Sequence, residues 1–346
     1  IVHFFEKLPK TTKQDINSPD MYFLFIDKSV IYDHIKNELI IVVLGNNYDE
    51  CMNEVMRISR RIFGKDKSLN RKILCRGLSS NFTKDEYMNA ILKVKEYISA
   101  GDTFQVNLSQ RLKGIIEGDC LAIYERLAKI NPAPFSALLE FPEIKIVCSS
   151  PERLVRLENN IVSTRPIAGT RARGETYKDD MSLENELKSS EKELAEHIML
   201  VDLERNDLGK VCDYGSVKVT EIMSVEKYSH VMHLVSNISG KLHHSKDCFD
   251  VIKAVFPGGT ITGCPKIRTM EIIDELEPTS RGVYTGSLGY FNFCREMDFN
   301  IIIRTLVVKK NKVYVQAGGG IVADSVPMQE YKETLDKAQA MIDALA

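Results

Sequence analysis

The stretch 301–337 holds residues whose types and spacing suit the binding of a small anion. Arg304 lies in an otherwise aliphatic run, Ile301–Val308, whose pattern predicts a buried strand. Burying an arginine is costly unless an anion pairs with its guanidinium group. We therefore predict that Arg304 binds an anion.

Three consecutive glycines follow in the chain. Gly318, Gly319 and Gly320 carry no side chains, so their backbone N–H groups could converge on an anion as a nest. The alternative is an ordinary turn, which is the commoner reason for a glycine run.

A helix with Pro327 in its first turn is predicted next. Glu330, Glu333 and Lys337 follow i, i+3, i+7 spacing and would share one face of it. A solvated helix face is the alternative. Beside an arginine and a glycine nest, two carboxylates and an ammonium group suit a small polyanion held with a divalent metal.

Further carboxylates extend this hypothesis. Glu196 lies in a predicted helix that opens at Ser190. Glu196 and Glu333 are candidate metal ligands, and Glu330 could hold a metal-bound water. Ligation by oxygen alone favours Mg²⁺ over zinc. A partly exposed helix carboxylate is the alternative for Glu196.

Two other side chains are candidates for acid–base work. Glu152 follows a predicted strand end beside Pro151 and could be a general acid or base. A loop carboxylate is its alternative. His233 lies on a partly alternating segment, where a hydrogen-bonded core histidine is the alternative to a catalytic role.

Strands and helices without strict βαβα alternation must position these residues. This order predicts an α+β fold with largely antiparallel sheets and helices packed outside. We expect residues 1–77 to be the remnant of an N-terminal subdomain and 78–346 to be the catalytic domain, with a polar linker at 65–72. Arg171–Leu183 is predicted to be mobile, and Tyr284–Phe293 is predicted to form a hairpin with Met297–Val308.

Composition excludes several classes of protein. The formal net charge of −2 gives no global basic field for nucleic acid. The eight cysteines include no C-x-x-C pair, which disfavours zinc and favours a reduced, cytoplasmic setting. No apolar stretch approaches the ~20 residues of a membrane span. The loop Gly259–Lys266 is a near miss for a nucleotide-binding P-loop, because Pro265 separates its last glycine from the lysine.

Taken together, the motifs resemble the chorismate-utilising enzymes over roughly residues 75–346. They include S-S-P-E-R at Ser149, R-P-I-A-G-T-R at Arg165, A-E-H-I-M-L-V-D-L-E-R-N-D-L-G at Ala195, G-G-T-I-T-G-C-P-K at Gly258, Y-T-G-S-L-G-Y at Tyr284 and A-G-G-G-I-V-A-D-S at Ala317. Each motif alone is weak, and their joint occurrence in the family's order is specific.

The resemblance implies a role for each matching residue. Glu196 and Glu333 match the family's Mg²⁺ ligands, and Glu330 matches a ligand acting through water. Tyr284, Arg304, the Gly320 region and Lys337 match groups that hold the chorismate carboxylates. The remaining matches are an acid near the departing hydroxyl, a histidine tied to ring chemistry and a threonine near the nucleophile, namely Glu152, His233 and Thr260.

Position 168 separates branches of the family. Members that add water have a lysine base there, and many aminodeoxychorismate synthases also carry that lysine, whereas this chain has Ala168. The isochorismate and salicylate branches are therefore disfavoured. Asn107 and the run Asn131–Ser136 resemble the aminodeoxychorismate branch more than the anthranilate branch, whereas Ala168 equally suits the latter.

The resemblance also implies partners. Chorismate would be the substrate, and a separate glutamine amidotransferase subunit would supply ammonia. A non-catalytic chorismate-binding subunit is the alternative from another class, although the presence of both Glu196 and Glu333 weighs against it.

Overall fold

The computed structural model describes residues 2–64, 72–227 and 231–346. The described residues of 1–18 and 71–346 form one compact unit, and those of 19–70 form another. Of the predicted linker at 65–72, only Lys72 is described. None of the described helices is long and apolar enough to cross a membrane.

The smaller unit is built from a hairpin and one helix. Strands β1 (Lys28–Asp33) and β2 (Glu38–Val43) pair antiparallel. Helix α1 (Tyr48–Ile62) begins where the Asn47 side chain accepts a hydrogen bond from the Glu50 backbone N–H, which satisfies one of the exposed donors of its first turn.

The larger unit contains the remaining strands. In chain order these are β3 (Leu74–Ser80), β4 (Gln105–Glu117), β5 (Phe135–Glu140), β6 (Lys145–Ser150), β7 (Arg153–Glu158), β8 (Ile161–Thr164), β9 (Ile167–Ala172), β10 (Lys218–Lys227), β11 (Val231–Lys241), β12 (Gly263–Cys264), β13 (Gly289–Phe291), β14 (Met297–Asn300), β15 (Thr305–Lys309) and β16 (Lys312–Ile321).

Its helices cover the sheets. They are α2 (Lys84–Ser99), α3 (Cys120–Ile130), α4 (Tyr177–Ser189), α5 (Glu191–Gly209), α6 (Cys248–Val255), α7 (Lys266–Leu276) and α8 (Pro327–Asp343), with a 3₁₀ turn at Gly259–Ile261. The capping box of Thr83 and Glu86 opens α2. Pro327 occupies the first turn of α8.

Two seven-stranded sheets form among the described residues. The first has the order β12-β4-β16-β15-β6-β5, with β3 added against β4, and the second has the order β10-β11-β8-β7-β14-β13, with β9 added against β11. The pairings between these strands are antiparallel. The predicted α+β fold with largely antiparallel sheets is confirmed.

Each sheet has its own apolar core. Helices α3 and α8 cover the first sheet, with Ile123, Leu127, Leu306 and Met341 wholly buried. Helices α5 and α6 cover the second sheet, with Val155, Leu208 and Val251 buried between them. Burial of large aliphatic side chains on both sheets is the main favourable contribution to folding.

The predicted hairpin of Tyr284–Phe293 with Met297–Val308 is confirmed in part. Strands β13 and β14 pair antiparallel within these two runs, whereas the end of the second run forms β15 of the first sheet. The segment Arg171–Leu183, which was predicted to be mobile, contains the end of β9 and the first half of α4, whose N-terminus is held by a capping box of Thr176 and Asp179.

Candidate active site

The glycine run lies within β16 and does not form a nest. Gly318, Gly319 and Gly320 pair with Ser109, Leu108 and Asn107 of β4 in a regular antiparallel ladder. None of the three glycines has a positive φ, so the alternating backbone of a nest is missing. The predicted nest is wrong because strand pairing fixes these peptide groups.

The glycines instead allow side chains of β4 to approach the backbone of β16 closely. A Cβ on Gly320 would lie 2.2 Å from Gln105 Nε2, and one on Gly318 would lie 2.5 Å from Asn107 Oδ1. Two buried carboxamides of β4 therefore occupy the space that side chains of β16 would fill. The absence of side chains on β16 lets the carboxamides lie against the strand backbone.

Three predicted metal ligands surround the same two glycines. A Cβ on Gly320 would be 3.3 Å from Glu196 Oε1, and one on Gly319 would be 3.3 Å from Glu330 Oε2 and 3.7 Å from Glu333 Oε1. Because successive residues of a strand face opposite sides, Glu196 approaches one side of β16 and the two acids of α8 approach the other. Over the described residues, no group of three or more His, Cys, Asp or Glu side chains forms a metal cluster.

Each of the three acids has a protein partner in this arrangement. Gln105 Nε2 donates to Glu196 Oε1 at 2.7 Å, and Ser325 Oγ donates to the buried Glu330 at 2.7 Å. The Lys337 ammonium group lies 2.6 Å from Glu333 Oε1. These partners hold the carboxylates around β16 without drawing them to one point. The oxygen-only donor set fits a hard divalent cation.

Arg304 lies where the chain passes from one sheet to the other. The prediction that it is inside a strand is wrong, because it precedes β15 with a φ of 50°. Its side chain is half-buried. Burial lowers the pKa of Arg304, and the nearby Tyr284 and Glu333 act in the opposite direction. The guanidinium group is therefore within electrostatic range of both α8 and the Tyr284 segment.

Lys337 lies close to the same glycine strand. Its Nζ donates to the Gly318 carbonyl at 3.1 Å, and its charge also lowers the pKa of Glu152. Lys337 thus places a cationic group within electrostatic range of the Glu152 carboxyl.

His233 and Tyr284 both lie near Arg304. Burial, helped by the Arg304 charge, lowers the pKa of His233 to about 4, so its imidazole is neutral near pH 7. His233 Nδ1 lies 2.9 Å from Thr170 Oγ1. Burial raises the pKa of the Tyr284 hydroxyl, and the positive charges of Arg281 and Arg304 partly offset this rise.

Glu152 is the acid–base candidate that the structure places most deeply. It is 5 % exposed, and burial raises its pKa to about 7, against the lowering effects of Thr260, Lys337 and the Ile167 N–H. Among the described residues, Glu152 Oε1 and Thr260 Oγ1 have no well-formed hydrogen bond. A carboxyl that titrates near neutral pH can donate or accept a proton there.

The structure places Thr260, Lys337 and Tyr284 within electrostatic range of Glu152, and Arg304 within range of Tyr284. Ala168 lies on β9 opposite Leu234 of β11, next to the His233 position of that strand. Its buried methyl group offers no proton acceptor. The catalytic, substrate-binding and metal-binding roles of these residues stay predictions.

Sequence reasoning missed three polar side chains of this region, Arg281, Glu204 and Gln105, and used Asn107 only to choose between branches. Arg281 is held by Glu277, with which it shares an i, i+4 spacing that could have indicated the pair. Glu204 is buried, which raises its pKa to about 8, and it lies 2.6 Å from Thr164 Oγ1. Gln105 and Asn107 alternate along β4 with apolar residues, a pattern that indicates their shared face but not what they contact.

Comparison with known proteins identifies the class. The model of the family described as chorismate binding enzyme matches residues 1–343. The chain belongs to this family, as its motifs predicted.

Two relatives and one solved structure show which members of the family this chain is similar to. Aminodeoxychorismate synthase component 1 of Bacillus subtilis is 47 % identical over 348 residues, covering 99 % of this chain and 74 % of the relative. Anthranilate synthase component 1 of Acetivibrio thermocellus is 44 % identical over 360 residues, covering 100 % and 73 %. The crystal structure of anthranilate synthase component I from Streptococcus pneumoniae superimposes with a TM-score of 0.91 at 34 % identity, covering 98 % of this chain and 78 % of that one.

Proposed function

We propose that this chain is the chorismate-aminating component I of an aminodeoxychorismate synthase. It would convert chorismate and ammonia to 4-amino-4-deoxychorismate and water, a step toward p-aminobenzoate and folate. The observation that carries the proposal is Glu152, a buried carboxyl whose pKa is raised to about 7 and which interacts with the side chain of Thr260.

The cationic and hydroxyl groups of the site would hold the substrate. Chorismate carries two carboxylates, and Arg304, Lys337 and Tyr284 would be the donors that bind them. The proximity of Arg304 to Tyr284 and Glu333 supports this role. Charge-assisted hydrogen bonds of this kind orient a dianion strongly.

Mg²⁺ would complete the substrate site. Glu196 and Glu333 would be its ligands, and Glu330 would act through a water molecule. When bound, Mg²⁺ would neutralise the substrate carboxylate and the surrounding acids. Support comes from the hard oxygen donors of these carboxylates and from the position of Glu330 and Glu333 together beside Gly319, whereas Glu196 lies beside Gly320 on the other side of β16.

Glu152 would act as the acid in the reaction. With its pKa raised to about 7, it carries a proton in a large fraction of molecules at neutral pH, and it would give this proton to the departing hydroxyl group. His233, whose pKa is lowered to about 4, would stay neutral beside the ring. Thr260 would lie near the incoming nucleophile.

Two observations favour the aminodeoxychorismate branch. The 47 % identical Bacillus subtilis relative is an aminodeoxychorismate synthase component 1, and Asn107 stands where the anthranilate branch favours an apolar residue. Anthranilate synthase component I is the second candidate, since 44 % identical relatives bear that name and Ala168 suits it equally. Ala168 provides no base to activate water, which disfavours addition of water.

A separate glutamine amidotransferase subunit would supply the ammonia in the cytoplasm. The numbering of the relatives as component 1 supports a two-component enzyme. A non-catalytic chorismate-binding subunit would have no use for a buried carboxyl with a pKa near neutrality.

Product analysis tests the proposal directly. The purified chain is incubated with chorismate, Mg²⁺ and an ammonium salt, and the products are separated by chromatography. We expect 4-amino-4-deoxychorismate, and we expect p-aminobenzoate only after an aminodeoxychorismate lyase is added. Removal of Mg²⁺ by EDTA should stop the reaction.

Other products would overturn parts of the proposal. Fluorescent anthranilate formed without a lyase would identify the anthranilate branch. Unchanged chorismate, with a folded protein and a saturating ammonium salt, would show that the chain does not aminate chorismate.

A further inference from the structure

Two buried carboxamides on β4 face the candidate active site. Gln105 is 2 % exposed and Asn107 is 7 % exposed, and their i, i+2 spacing places them on one face of the strand. The Gln105 Nε2 donates to Glu196 Oε1 at 2.7 Å. The Asn107 Nδ2 donates to the Thr260 carbonyl at 3.1 Å. Each carboxamide thus contacts a residue already assigned to the site.

These contacts fix which way each carboxamide points. Glu196 and the Thr260 carbonyl are acceptors, so the side-chain nitrogens must face them. The oxygens must then point elsewhere. Among the described residues, neither Gln105 Oε1 nor Asn107 Oδ1 has a hydrogen-bond partner. Buried amide oxygens in folded proteins nearly always accept a hydrogen bond.

The neighbouring unpartnered atoms are also acceptors. Thr260 and Glu152 lie at the same site, where the Thr260 side chain interacts with the Glu152 carboxyl, and neither Thr260 Oγ1 nor Glu152 Oε1 has a well-formed hydrogen bond within the described parts of the chain. Together, the four oxygen atoms offer many lone pairs and few protons. They are Gln105 Oε1, Asn107 Oδ1, Thr260 Oγ1 and Glu152 Oε1. A complementary ligand must therefore be rich in N–H or O–H donors and small enough to lie against the Gly318–Gly320 strand.

We propose that Gln105 Oε1 and Asn107 Oδ1, together with Thr260 Oγ1, form the binding site for ammonia. The inference rests on the proposed function and identifies where its nucleophile lies before attack. Ammonia has three N–H donors and one lone pair. Acceptors that take the N–H groups leave the lone pair free to point at the substrate ring.

The charges around the site favour ammonia over ammonium. Arg281 donates to the backbone carbonyl of Asn107 and, at 2.8 Å, to that of Ile261. Burial disfavours a charged ligand, and Arg281 is already paired with Glu277, so this ion pair leaves no free negative charge next to Asn107 to attract ammonium. Glu196 is the nearby acid that would attract ammonium, and its Oε1 is engaged by Gln105.

The bond changes balance with the groups present. The nitrogen lone pair forms the new C–N bond while the C–O bond to the hydroxyl group breaks. The hydroxyl group leaves as water with the proton of Glu152. The attacking nitrogen, now carrying one proton too many, returns a proton to the Glu152 carboxylate. No oxidant, reductant or further reactant is needed.

The test compares two variants of buried amides on β4. Asn107→Leu removes the acceptor and keeps a similar volume. Gln110→Met is the matched control, because Gln110 is 3 % exposed on the other face of β4. Its amide has both partners, with Ser80 Oγ donating at 2.9 Å and Thr334 Oγ1 accepting at 2.6 Å.

Steady-state kinetics with an ammonium salt give the readout, with chorismate and Mg²⁺ saturating. We expect Asn107→Leu to raise the KM for ammonia about tenfold, the typical effect of one lost hydrogen bond. The KM for chorismate should change by less than about threefold, since Asn107 is not among the groups that bind carboxylate. Gln110→Met should leave both constants within about threefold, although it lowers stability.

Separate outcomes overturn separate claims. If wild-type protein aminates chorismate and Asn107→Leu leaves the KM for ammonia unchanged, the ammonia site is wrong while the proposed function stands. If wild-type protein does not aminate chorismate, the proposed function fails first. Equal increases in both constants would show that Asn107 supports the site only structurally.

A second variant covers the case in which Asn107→Leu does not fold. Thr260→Val removes the hydroxyl of a half-buried residue and keeps the volume of its side chain. The site predicts a several-fold higher KM for ammonia in Thr260→Val as well. An unchanged ammonia KM in this variant would contradict the proposal.

Discussion

Two buried carboxyls, those of Glu277 and Glu152, differ in how completely they are hydrogen-bonded. Glu277 is 3 % exposed and accepts hydrogen bonds from the backbone and hydroxyl of Ser109, at 2.9 and 2.7 Å, and from Arg281 at 2.7 Å. We call Ser109, Glu277 and Arg281 the closed region. Glu152 is 5 % exposed, yet its Oε1 has no partner among the described residues.

We call the second set the open region, which consists of Gln105, Asn107, Glu152 and Thr260. Each of its members contributes an unpartnered acceptor atom. Arg281 of the closed region donates to the Ile261 carbonyl, one residue after Thr260, so the two regions adjoin. The difference teaches that burial alone does not mark a functional carboxyl. A carboxyl that is buried and incompletely hydrogen-bonded is the better mark of function. Such a group lowers the stability of the fold, and a bound ligand can supply the missing hydrogen bonds.

The largest expected effect falls on catalysis in the open region. Glu152→Gln keeps the shape of the side chain and removes its proton. We expect kcat for chorismate amination to fall by about 10²–10⁴, the usual contribution of a general acid. The rate of chorismate consumption in a timed assay gives kcat. Urea denaturation is the control and should show that the variant is at least as stable as the wild type. A kcat within tenfold of wild type would remove Glu152 from the mechanism.

The next effect falls on stability in the closed region. Glu277→Gln leaves the Arg281 guanidinium buried without a counter-charge. We expect the free energy of unfolding to fall by about 3–5 kcal/mol, as for other broken buried ion pairs. Urea denaturation followed by circular dichroism measures the change. Similar stability changes for Glu277→Gln and Glu152→Gln would erase the distinction between the two regions.

The smallest expected effect is a pH dependence of stability that belongs to Glu152. Its pKa rises from 4.5 to about 7 on folding, so the folded protein binds more protons than the unfolded chain between these values. Stability contributed by Glu152 is therefore lost as the pH rises from about 4.5 to 7, at up to about 1.4 kcal/mol per pH unit.

Glu152→Gln provides the control for that pH dependence. Urea unfolding of both proteins at several pH values should show a difference in stability that shifts in favour of the variant as the pH rises. Glu204, whose pKa is raised to about 8, is present in both proteins and largely cancels. A difference that is constant between pH 4.5 and 7 would mean that Glu152 is not a neutral-range acid.

Much of the fold was predictable from local pattern. The alternation of Phe104–Ser109 indicates a half-buried strand, which is β4, and Thr83 with Glu86 three residues later indicates the start of α2. The antiparallel α+β class followed from the order of elements. The pattern failed at Arg304, because an aliphatic run of strand type does not reveal that the chain changes sheets within it.

The sequence by itself determined the family, the antiparallel architecture and the identity of the acids and cations that could bind chorismate. These are carried by motif order, hydrophobic period and residue type, which are local properties. Only the tertiary structure decided that Gly318–Gly320 is a strand lined by carboxamides, and that Glu152 is left with an unpartnered oxygen whereas Glu277 is fully bonded. Hydrogen-bond partners distant along the chain set these environments, and no local pattern specifies them.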